Sequence, residues 1–180
     1  MSSIPTIEFG VPGDKITVPR IGLGAMALTG GYGSFDLAES TAVLNHAVDV
    51  GCTFWDTADS YGLGANEKLL GSVIKQRSEK VFVATKFGFV MKDLGPDFDG
   101  DFSDVIEGVS GTPEYVRKQF EKSIQSLGVD RIDLYYQHRV DPTVPIEVTV
   151  GAMAELVKEG KVRYLGLSEC TADELRRAYK

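Results

Sequence analysis

The chain has 180 residues and a formal net charge of −7 at pH 7, a length that allows one sizeable hydrophobic core. The negative charge and the lack of a basic run argue against a nucleic-acid partner. The two cysteines, Cys52 and Cys170, indicate a reducing compartment rather than a disulfide framework. We see no signal-like start and no apolar run of the ~20 residues that a membrane span needs, so we expect a cytoplasmic protein without a membrane partner.

Predicted strands and helices alternate along most of the chain. Residues 6–18 predict a hairpin that turns at Pro12-Gly13-Asp14, and five strand–helix units follow it. The predicted strands are 20–24, 52–55, 81–84, 132–136 and 162–167, and the helices after them open at Asp36, Asn66, Thr112, residue 146 and Thr171. Strict alternation predicts an α/β fold with a parallel sheet, in one domain over residues 1–180.

Two segments carry more specific predictions. Five apolar residues of the first helix share roughly one face: Leu37, Val43, Leu44, Ala47 and Val48. The loop over residues 87–111 is long and rich in acidic residues, with Lys92 as its one basic residue. A loop of that length in a compact domain is typical of a lid or a substrate loop.

Two motifs invite ligand-binding interpretations that their contexts do not support. Residues 22–27 match the dinucleotide fingerprint, but that fingerprint needs a helix at once, and the next helix signal is Asp36. Residues 97–101 resemble the start of a calcium loop, but an EF-hand would need glycine and glutamate where Phe102 and Gly108 stand. We therefore assign no metal ligands and expect a solvated acidic loop.

Four polar residues follow three of the predicted strands: Asp56 and Tyr61 after 52–55, Lys86 after 81–84, and His138 after 132–136. Residues past successive parallel strands converge on one face, so we expect these four to lie together. Each of them taken singly is equally compatible with a structural role.

The chemistry that fits the four together is the reduction of a carbonyl group. A tyrosine phenol is a poor acid or base near pH 7 until an ammonium such as Lys86 favours its charged form. Asp56 can hold Lys86 by an ion pair, His138 can orient the substrate oxygen, and Tyr61 can deliver the proton as a hydride arrives at carbon. None of the four supplies a hydride, so a nicotinamide cofactor is implied.

The chain resembles the aldo-keto reductases from its N-terminal hairpin to its last residue. The motifs that carry the resemblance are Asp56-Thr57-Ala58-Asp59-Ser60-Tyr61-Gly62, Asn66-Glu67-Lys68-Leu69-Leu70-Gly71, Ala84-Thr85-Lys86, Tyr136-Gln137-His138 and Gly160-Lys161-Val162-Arg163-Tyr164-Leu165-Gly166-Leu167-Ser168. The resemblance implies a (β/α)8 TIM barrel plugged by the hairpin, NADPH as hydride donor, and a small aldehyde or ketone as substrate. Asp56, Tyr61, Lys86 and His138 match the catalytic tetrad, with Tyr61 as the proton donor.

The resemblance also implies a cofactor-binding set. Gly24 and Met26 fall in the family's first loop, which lines the cofactor and substrate pocket, and Ser168 matches the residue that binds the nicotinamide carboxamide. Many members have asparagine after that serine, whereas this chain has Glu169, which a subset shares. The predicted cofactor-binding residues are Gly24, Met26, Asp56, Ser168 and Glu169.

The length of the chain departs from the family pattern. Members are considerably longer, and their later strands carry most of the adenosine and 2′-phosphate contacts. The resemblance therefore implies a domain truncated after about five β/α units and incomplete at its C-terminus. Five strands cannot close an eight-stranded barrel, and open sheet edges are pairing hazards.

Three hypotheses about function remain open after the sequence analysis. The first is an NADPH-dependent reductase. The second is an inactive remnant that acts, if at all, by binding another subunit, and the third is a regulatory subunit of the same family. The carbonyl substrate, the choice between NADPH and NADH, and the oligomeric state are not specified by the sequence.

Overall fold

A computed structural model describes residues 4–77, 80–92 and 102–180 of the chain, and its first element is an antiparallel hairpin. Strand β1 (Thr6–Val11) pairs with strand β2 (Asp14–Pro19), and Val11 lies opposite Asp14 beside the turn. Gly13 in the turn has a φ of 89°, a conformation that glycine adopts without strain. The predicted hairpin is confirmed.

The elements after the hairpin alternate between strands and helices, with one additional strand pair. In chain order they are β3 (Leu23–Gly24), α1 (Leu37–Asp49), β4 (Phe54–Asp56), α2 (Ala65–Ile74), β5 (Phe82–Phe87), β6 (Phe89–Met91), α3 (Phe102–Val105), β7 (Ile106–Val109), α4 (Pro113–Leu127), β8 (Ile132–Gln137), α5 (Ile146–Lys158), β9 (Val162–Leu167) and α6 (Ala172–Ala178). Short 3₁₀ turns, Met26–Thr29 and Tyr61–Gly64, follow β3 and β4. The long α-helix after β3 begins only at Leu37, so residues 22–27 lack the helix start that a dinucleotide fingerprint requires.

The central sheet has five strands in the order β3-β4-β5-β8-β9. Every neighbouring pair is parallel, because a helix returns the chain to the same end of the sheet before the next strand begins. Within the described residues the sheet is open, with β3 and β9 at its edges. The predicted α/β fold with a parallel sheet is confirmed.

Side-chain oxygens close the first turns of three helices, as the sequence predicts. Asp36, Thr112 and Thr171 each accept a hydrogen bond from the backbone N–H three residues later. Only Thr171 forms a complete capping box, in which Glu174 bonds back to the backbone N–H of Thr171. These caps fix where α1, α4 and α6 begin.

The main core lies between one face of the sheet and the helices α1, α2, α4 and α5. The sheet contributes Trp55 and Tyr135, and the helices contribute Leu44, Leu70, Phe120 and Met153, all fully buried or nearly so. This core covers one face of the sheet, the outer face. Along each strand, the side chains that alternate with those of the core point to the opposite, inner face.

Two of the five apolar residues of α1 lie outside the core. Leu44, Ala47 and Val48 are buried, but Leu37 is 58% exposed and Val43 is 45% exposed. Val43 precedes Leu44 by one residue and is therefore rotated by about 100° away from the buried face. Residues 31–39 are all exposed, so the first turn of α1 lies outside the core.

The hairpin covers one end of the inner face of the sheet. The ring of Phe9 lies 5.5 Å from that of Phe82 and 5.2 Å from that of Tyr164, and it also contacts Phe54. Tyr164 donates a hydrogen bond from its hydroxyl to the carbonyl oxygen of Asp14 at 2.9 Å. Phe54 and Phe82 begin β4 and β5, so the hairpin covers the amino ends of the strands and leaves their carboxyl ends open.

The described parts of the predicted 87–111 loop, residues 87–92 and 102–111, contain two strands that were not predicted. Strands β6 and β7 form a separate antiparallel pair, in which Phe89 lies opposite Val109. The hydroxyl of Tyr115 in α4 donates to the carbonyl oxygen of Phe89 at 2.6 Å and fixes the start of this pair. Sequence patterning missed these strands because each has only three or four residues.

Residues 4–77, 80–92 and 102–180 contain neither a metal-binding cluster nor a membrane-spanning helix. No group of three or more His, Cys, Asp or Glu side chains there is placed to hold a metal ion. No helix in those ranges is both long and apolar enough to cross a bilayer. Residues 97–101, where the resemblance to a calcium loop begins, lie outside the described residues.

Candidate active site

The four residues predicted to act in proton transfer lie at the carboxyl end of the parallel sheet. Asp56 is the last residue of β4, Lys86 lies one residue before the end of β5, and His138 directly follows β8. Tyr61 begins the 3₁₀ turn after β4. The strands end slightly later than predicted, so Asp56 and Lys86 lie within strands rather than just past them.

The alternation of side chains along the strands brings these residues to the inner face. Phe82 and Ala84 of β5 belong to the apolar cluster beneath the hairpin, and Lys86 is the next residue in that alternating set. On β8, Leu134 belongs to the same cluster, and His138 follows it four residues later. The inner face is therefore apolar near the hairpin and polar at the opposite end.

Lys86 connects the other members of the site. Its ammonium forms an ion pair with Asp56 and donates to the carbonyl oxygen of Thr57 at 2.8 Å and to the phenolic oxygen of Tyr61 at 3.2 Å. The Lys86 residue is 8% exposed, whereas the side chain of Asp56 is 36% exposed. The cation is thus held below the surface, and the carboxylate that pairs with it reaches solvent.

His138 lies between two aromatic rings. Its ring centroid is 5.7 Å from that of Tyr61, edge to face, and 4.7 Å from that of Phe89. Burial, and then the charges of Lys86 and Arg139, lower the pKa of His138 to about 3. The imidazole is therefore neutral near pH 7, and its buried Nδ1 has no hydrogen-bond partner among the described residues.

A buried polar network behind Tyr61 was not predicted. Thr57 donates from its hydroxyl to Asn66 at 2.6 Å, and the Asn66 amide donates to the carbonyl oxygen of Ala25 and to the hydroxyl of Thr29, both at 2.8 Å. Asn66 is fully buried at the start of α2. This amide links the loops after β3 and β4 to α2, so it sets the position of the turn that carries Tyr61.

Two carboxyl groups near the site, the half-buried Asp59 and the buried Glu67, were also missed. The backbone N–H of Asp59 donates to the carbonyl oxygen of Lys86 at 3.0 Å, and its buried Oδ1 has no partner in the described chain. Glu67 is 1% exposed and accepts from the hydroxyl of Thr85 at 2.7 Å. Burial, and then the charge of Glu67, raise the pKa of Asp59 to about 8, and burial also raises the pKa of Glu67.

The first loop contains two of the predicted cofactor-binding residues. Gly24 ends β3 directly opposite Asp56, and no atom lies within 4 Å of where its side chain would begin. Met26 lies in the following 3₁₀ turn, where its side chain packs against Gly31. Open space therefore adjoins Asp56 on the β3 side.

Two more of the five predicted cofactor-binding residues, Ser168 and Glu169, follow β9. The backbone N–H of Ser168 donates to the carbonyl oxygen of Gln137 at 2.9 Å, which holds the end of β9 beside the end of β8. Glu169 has a φ of 52°, and its carboxylate lies 2.7 Å from the guanidinium of Arg139. Neither Arg139 nor this ion pair was predicted, since the two residues are distant in sequence and become neighbours only through the pairing of β8 with β9.

The comparison of sequences identifies the class of protein. Residues 20–180 match the model of the Aldo/keto reductase family, and the chain belongs to that family. The sequence is 45% identical over 178 residues to the aldo-keto reductase yakc [NADP(+)] of Schizosaccharomyces pombe, covering 98% of this chain and 48% of that protein. It is 43% identical over 180 residues to a probable aldo-keto reductase of Glycine max, covering 99% of this chain and 49% of that protein. The chain thus spans about half the length of the curated relatives it matches.

Solved structures give the same assignment of fold. The glycerol dehydrogenase of Gluconobacter oxydans superposes with a TM-score of 0.82 at 27% identity, covering 96% of this chain and 51% of that one. An aldo-keto reductase of Bacillus halodurans in its holo form superposes with a TM-score of 0.74 at 27% identity, covering 91% and 50% of the two chains. The fold is that of the aldo-keto reductase TIM barrel, with five of its parallel strands in this chain.

Proposed function

We propose that this chain is part of an NADPH-dependent reductase that converts small aldehydes or ketones to alcohols, with Tyr61 as the proton donor. The main support is that the Lys86 ammonium lies 3.2 Å from the Tyr61 hydroxyl while it is paired with Asp56. The name of the Schizosaccharomyces pombe relative, which includes NADP(+), favours this cofactor. We also propose that residues 1–180 form part of a single aldo-keto reductase domain whose later β/α units are not in this chain.

Each of the four residues has a distinct role in this proposal. Lys86 stabilises the developing negative charge on the Tyr61 oxygen, so the phenol can release its proton to the substrate oxygen near pH 7. Asp56 holds the ammonium in place. The neutral ring of His138 can donate one N–H to the carbonyl oxygen and orient it toward Tyr61. The four side chains thus bind, orient and protonate the oxygen atom of the substrate.

The carboxyl end of the sheet suits a nicotinamide group. When bound, NADPH supplies the hydride that none of the four side chains can provide. Gly24 leaves open space opposite Asp56, which gives a flat ring access to the inner face. We assign the cofactor site to Gly24, Met26, Asp56, Ser168 and Glu169.

The Tyr61→Phe variant tests the proton-donor assignment. Tyr179→Phe is the matched control, because Tyr179 lies at the end of α6 and is 92% exposed. NADPH binding is followed by the fluorescence of Trp55, the single tryptophan. Turnover is followed by the consumption of NADPH with a small aldehyde. We expect Tyr61→Phe to lower turnover by about 10²-fold or more with little change in NADPH affinity. Retained turnover in this variant would exclude Tyr61 as the proton donor.

A second candidate function is binding to another subunit without catalysis. The open edges at β3 and β9 support it, because unpaired backbone groups at a sheet edge can pair with another chain. Wild-type chain that binds NADPH but does not consume it, and that sediments as an assembly, would favour this candidate. Turnover by a monomeric chain would exclude it.

A further inference from the structure

Arg139 contacts three parts of the candidate site with one guanidinium. One nitrogen, Nη2, lies 2.7 Å from a carboxylate oxygen of Glu169 in the loop after β9. The other, Nη1, donates to the carbonyl oxygen of its own neighbour His138 at 2.7 Å. The guanidinium carbon lies 5.7 Å from the ring centroid of Phe89 in β6. Arg139 therefore joins the ends of β8 and β9 to the strand pair that begins at Phe89.

Phe89 contacts both the guanidinium of Arg139 and the imidazole of His138. Its ring centroid is 4.7 Å from that of His138, with the two planes inclined by 58°. The backbone of Phe89 is held from the other side by the hydroxyl of Tyr115. Because the imidazole has Tyr61 on one side and Phe89 on another, a displaced Phe89 would leave His138 free to change its orientation.

Within the described part of the chain, three charged or titratable residues act on or contact the ring of His138. They are Lys86 from β5, Tyr61 from the turn after β4, and Arg139 itself. Both cations disfavour a positive imidazole, and together with burial they lower its pKa to about 3. The charge of Arg139 thus lowers the pKa of His138 directly, and its contact with Phe89 helps to hold the ring in place.

The exposure and backbone geometry of Glu169 indicate that its ion pair with Arg139 contributes little to the stability of the fold. The two side chains are 36% and 66% exposed, and exposed ion pairs contribute little to stability. Glu169 also has a φ of 52°, a left-handed conformation that side chains other than those of glycine and asparagine rarely adopt. The backbone at Glu169 is therefore held in an unfavourable conformation that directs its carboxylate to Arg139.

We propose that Arg139 is a positioning residue that holds His138 in place beside Tyr61, and that Glu169 fixes the guanidinium of Arg139. An arginine is required because its planar fork can bond the carboxylate and the carbonyl while one face stacks on Phe89, which a lysine ammonium cannot do. The inference deepens the proposed function and rests on it, since the position of His138 matters for chemistry only if the chain reduces carbonyls.

Nuclear magnetic resonance of ¹⁵N-histidine-labelled chain tests the positioning directly, without turnover. The chain has only two histidines, and the exposed His46 of α1 serves as an internal reference. We expect Arg139→Met to move the ring resonances of His138 and raise its pKa, with no change at His46. Arg139→Lys should keep part of the pKa effect but still move the ring resonances. The control is Arg131→Met, at the opposite end of β8, which should change neither. Unchanged His138 resonances in both Arg139 variants would overturn the proposal.

Glu169→Asn tests the second half of the proposal. Asparagine accepts the left-handed backbone, so this change removes the ion pair without asking the loop to move. We expect Glu169→Asn to shift the His138 resonances in the same direction as Arg139→Met. The double variant, with both changes, should shift them no further than Arg139→Met alone. A variant that loses NADPH affinity while His138 is unchanged would show that Glu169 acts on the cofactor alone, and would overturn this half.

Kinetics distinguish positioning from a loss of cofactor binding. We expect Arg139→Met to lower kcat by about tenfold or more, because a displaced reacting group slows the chemical step. NADPH affinity should change by less than about twofold. An unchanged kcat in an active wild-type background would overturn the proposal. If the wild-type chain itself shows no turnover, it is not a reductase without the later β/α units, and the resonances of His138 still decide whether Arg139 positions it.

Discussion

The ammonium of Lys86 lies within hydrogen-bond distance of the Tyr61 hydroxyl, and the same nitrogen bonds Asp56 and the carbonyl oxygen of Thr57. An ammonium has three N–H donors, so these three acceptors use all of them. The orientation of the lysine is fixed by this arrangement. Its charge is therefore applied to the phenolic oxygen rather than shared with solvent.

The Lys86→Met variant should lose carbonyl reduction by about 10²-fold or more, because methionine has a similar length but no charge to stabilise the ionised phenol. NADPH consumption measures the loss. Lys158→Met is the matched control, since Lys158 is an exposed residue of α5 that pairs only with Glu155 among the described contacts. A Lys86→Met protein with wild-type turnover would rule out the lysine as the activator of Tyr61.

The lowered pKa of His138 predicts a loss of stability in acid. Between its ordinary pKa of 6.5 and about 3, the unfolded chain binds a proton at His138 and the folded chain does not. The free energy of unfolding should therefore fall as pH decreases from 6.5, with a slope of up to about 1.4 kcal/mol per pH unit from this group. Urea unfolding of the wild type and of His138→Gln at several pH values isolates this contribution. A His138→Gln slope equal to that of the wild type would contradict the prediction.

The raised pKa of Asp59 predicts the opposite trend. Between 3.8 and about 8 the folded chain retains a proton on Asp59 that the unfolded chain releases. The stabilisation from this group is complete below pH 3.8 and is lost as pH rises toward 8. Asp59→Asn should therefore gain stability relative to the wild type as pH rises toward 8. His138 is present in both proteins, so its contribution cancels in this comparison. Exposed Asp130→Asn is the control; parallel pH profiles for Asp59→Asn and the wild type would show that Asp59 is ionised in the folded chain.

Two glycines in helices should respond oppositely to alanine. A side-chain carbon at Gly71 of α2 would lie 2.5 Å from the backbone carbonyl oxygen of Leu127, so α2 and α4 would have to separate. We expect Gly71→Ala to lower the free energy of unfolding by about 1–3 kcal/mol. At Gly151 of α5 nothing lies within 4 Å, so Gly151→Ala should raise it by about 0.5–1 kcal/mol through helix propensity. Thermal unfolding measures both; a stabilised Gly71→Ala protein would mean that the two helices are not in close contact.

Local patterns in the sequence were sufficient to predict the order of the elements other than β6, α3 and β7. Thr112 followed by Pro113 predicted the start of α4 to the residue, because a cap and an N1 proline act within one turn. The convergence of Asp56, Lys86 and His138 was also predictable, since it follows from parallel strands alone.

Contacts between distant segments could not be predicted in the same way. The sequence predicts a helix start at Asn66, but the hydrogen bond from its amide to the carbonyl oxygen of Ala25 depends on how β3 and β4 pair. No local pattern marks Asp59, which is half-buried and lies beside residues of α4, more than fifty residues later. The Arg139–Glu169 pair requires the register of β8 against β9. Each of these relationships is set by tertiary packing, which hydrophobic periodicity does not encode.

The contact between the hairpin and β9 has a consequence for the order in which this chain folds. Asp14 and Tyr164 are 150 positions apart, and their hydrogen bond lies beside the packing of Phe9 on Tyr164. Contacts between such distant residues form late, because closing a long loop costs entropy before any contact compensates for it. During synthesis the hairpin is made before β9, so its packing against Tyr164 must wait until β9 has emerged. The hairpin therefore completes its contacts later than its place in the chain suggests.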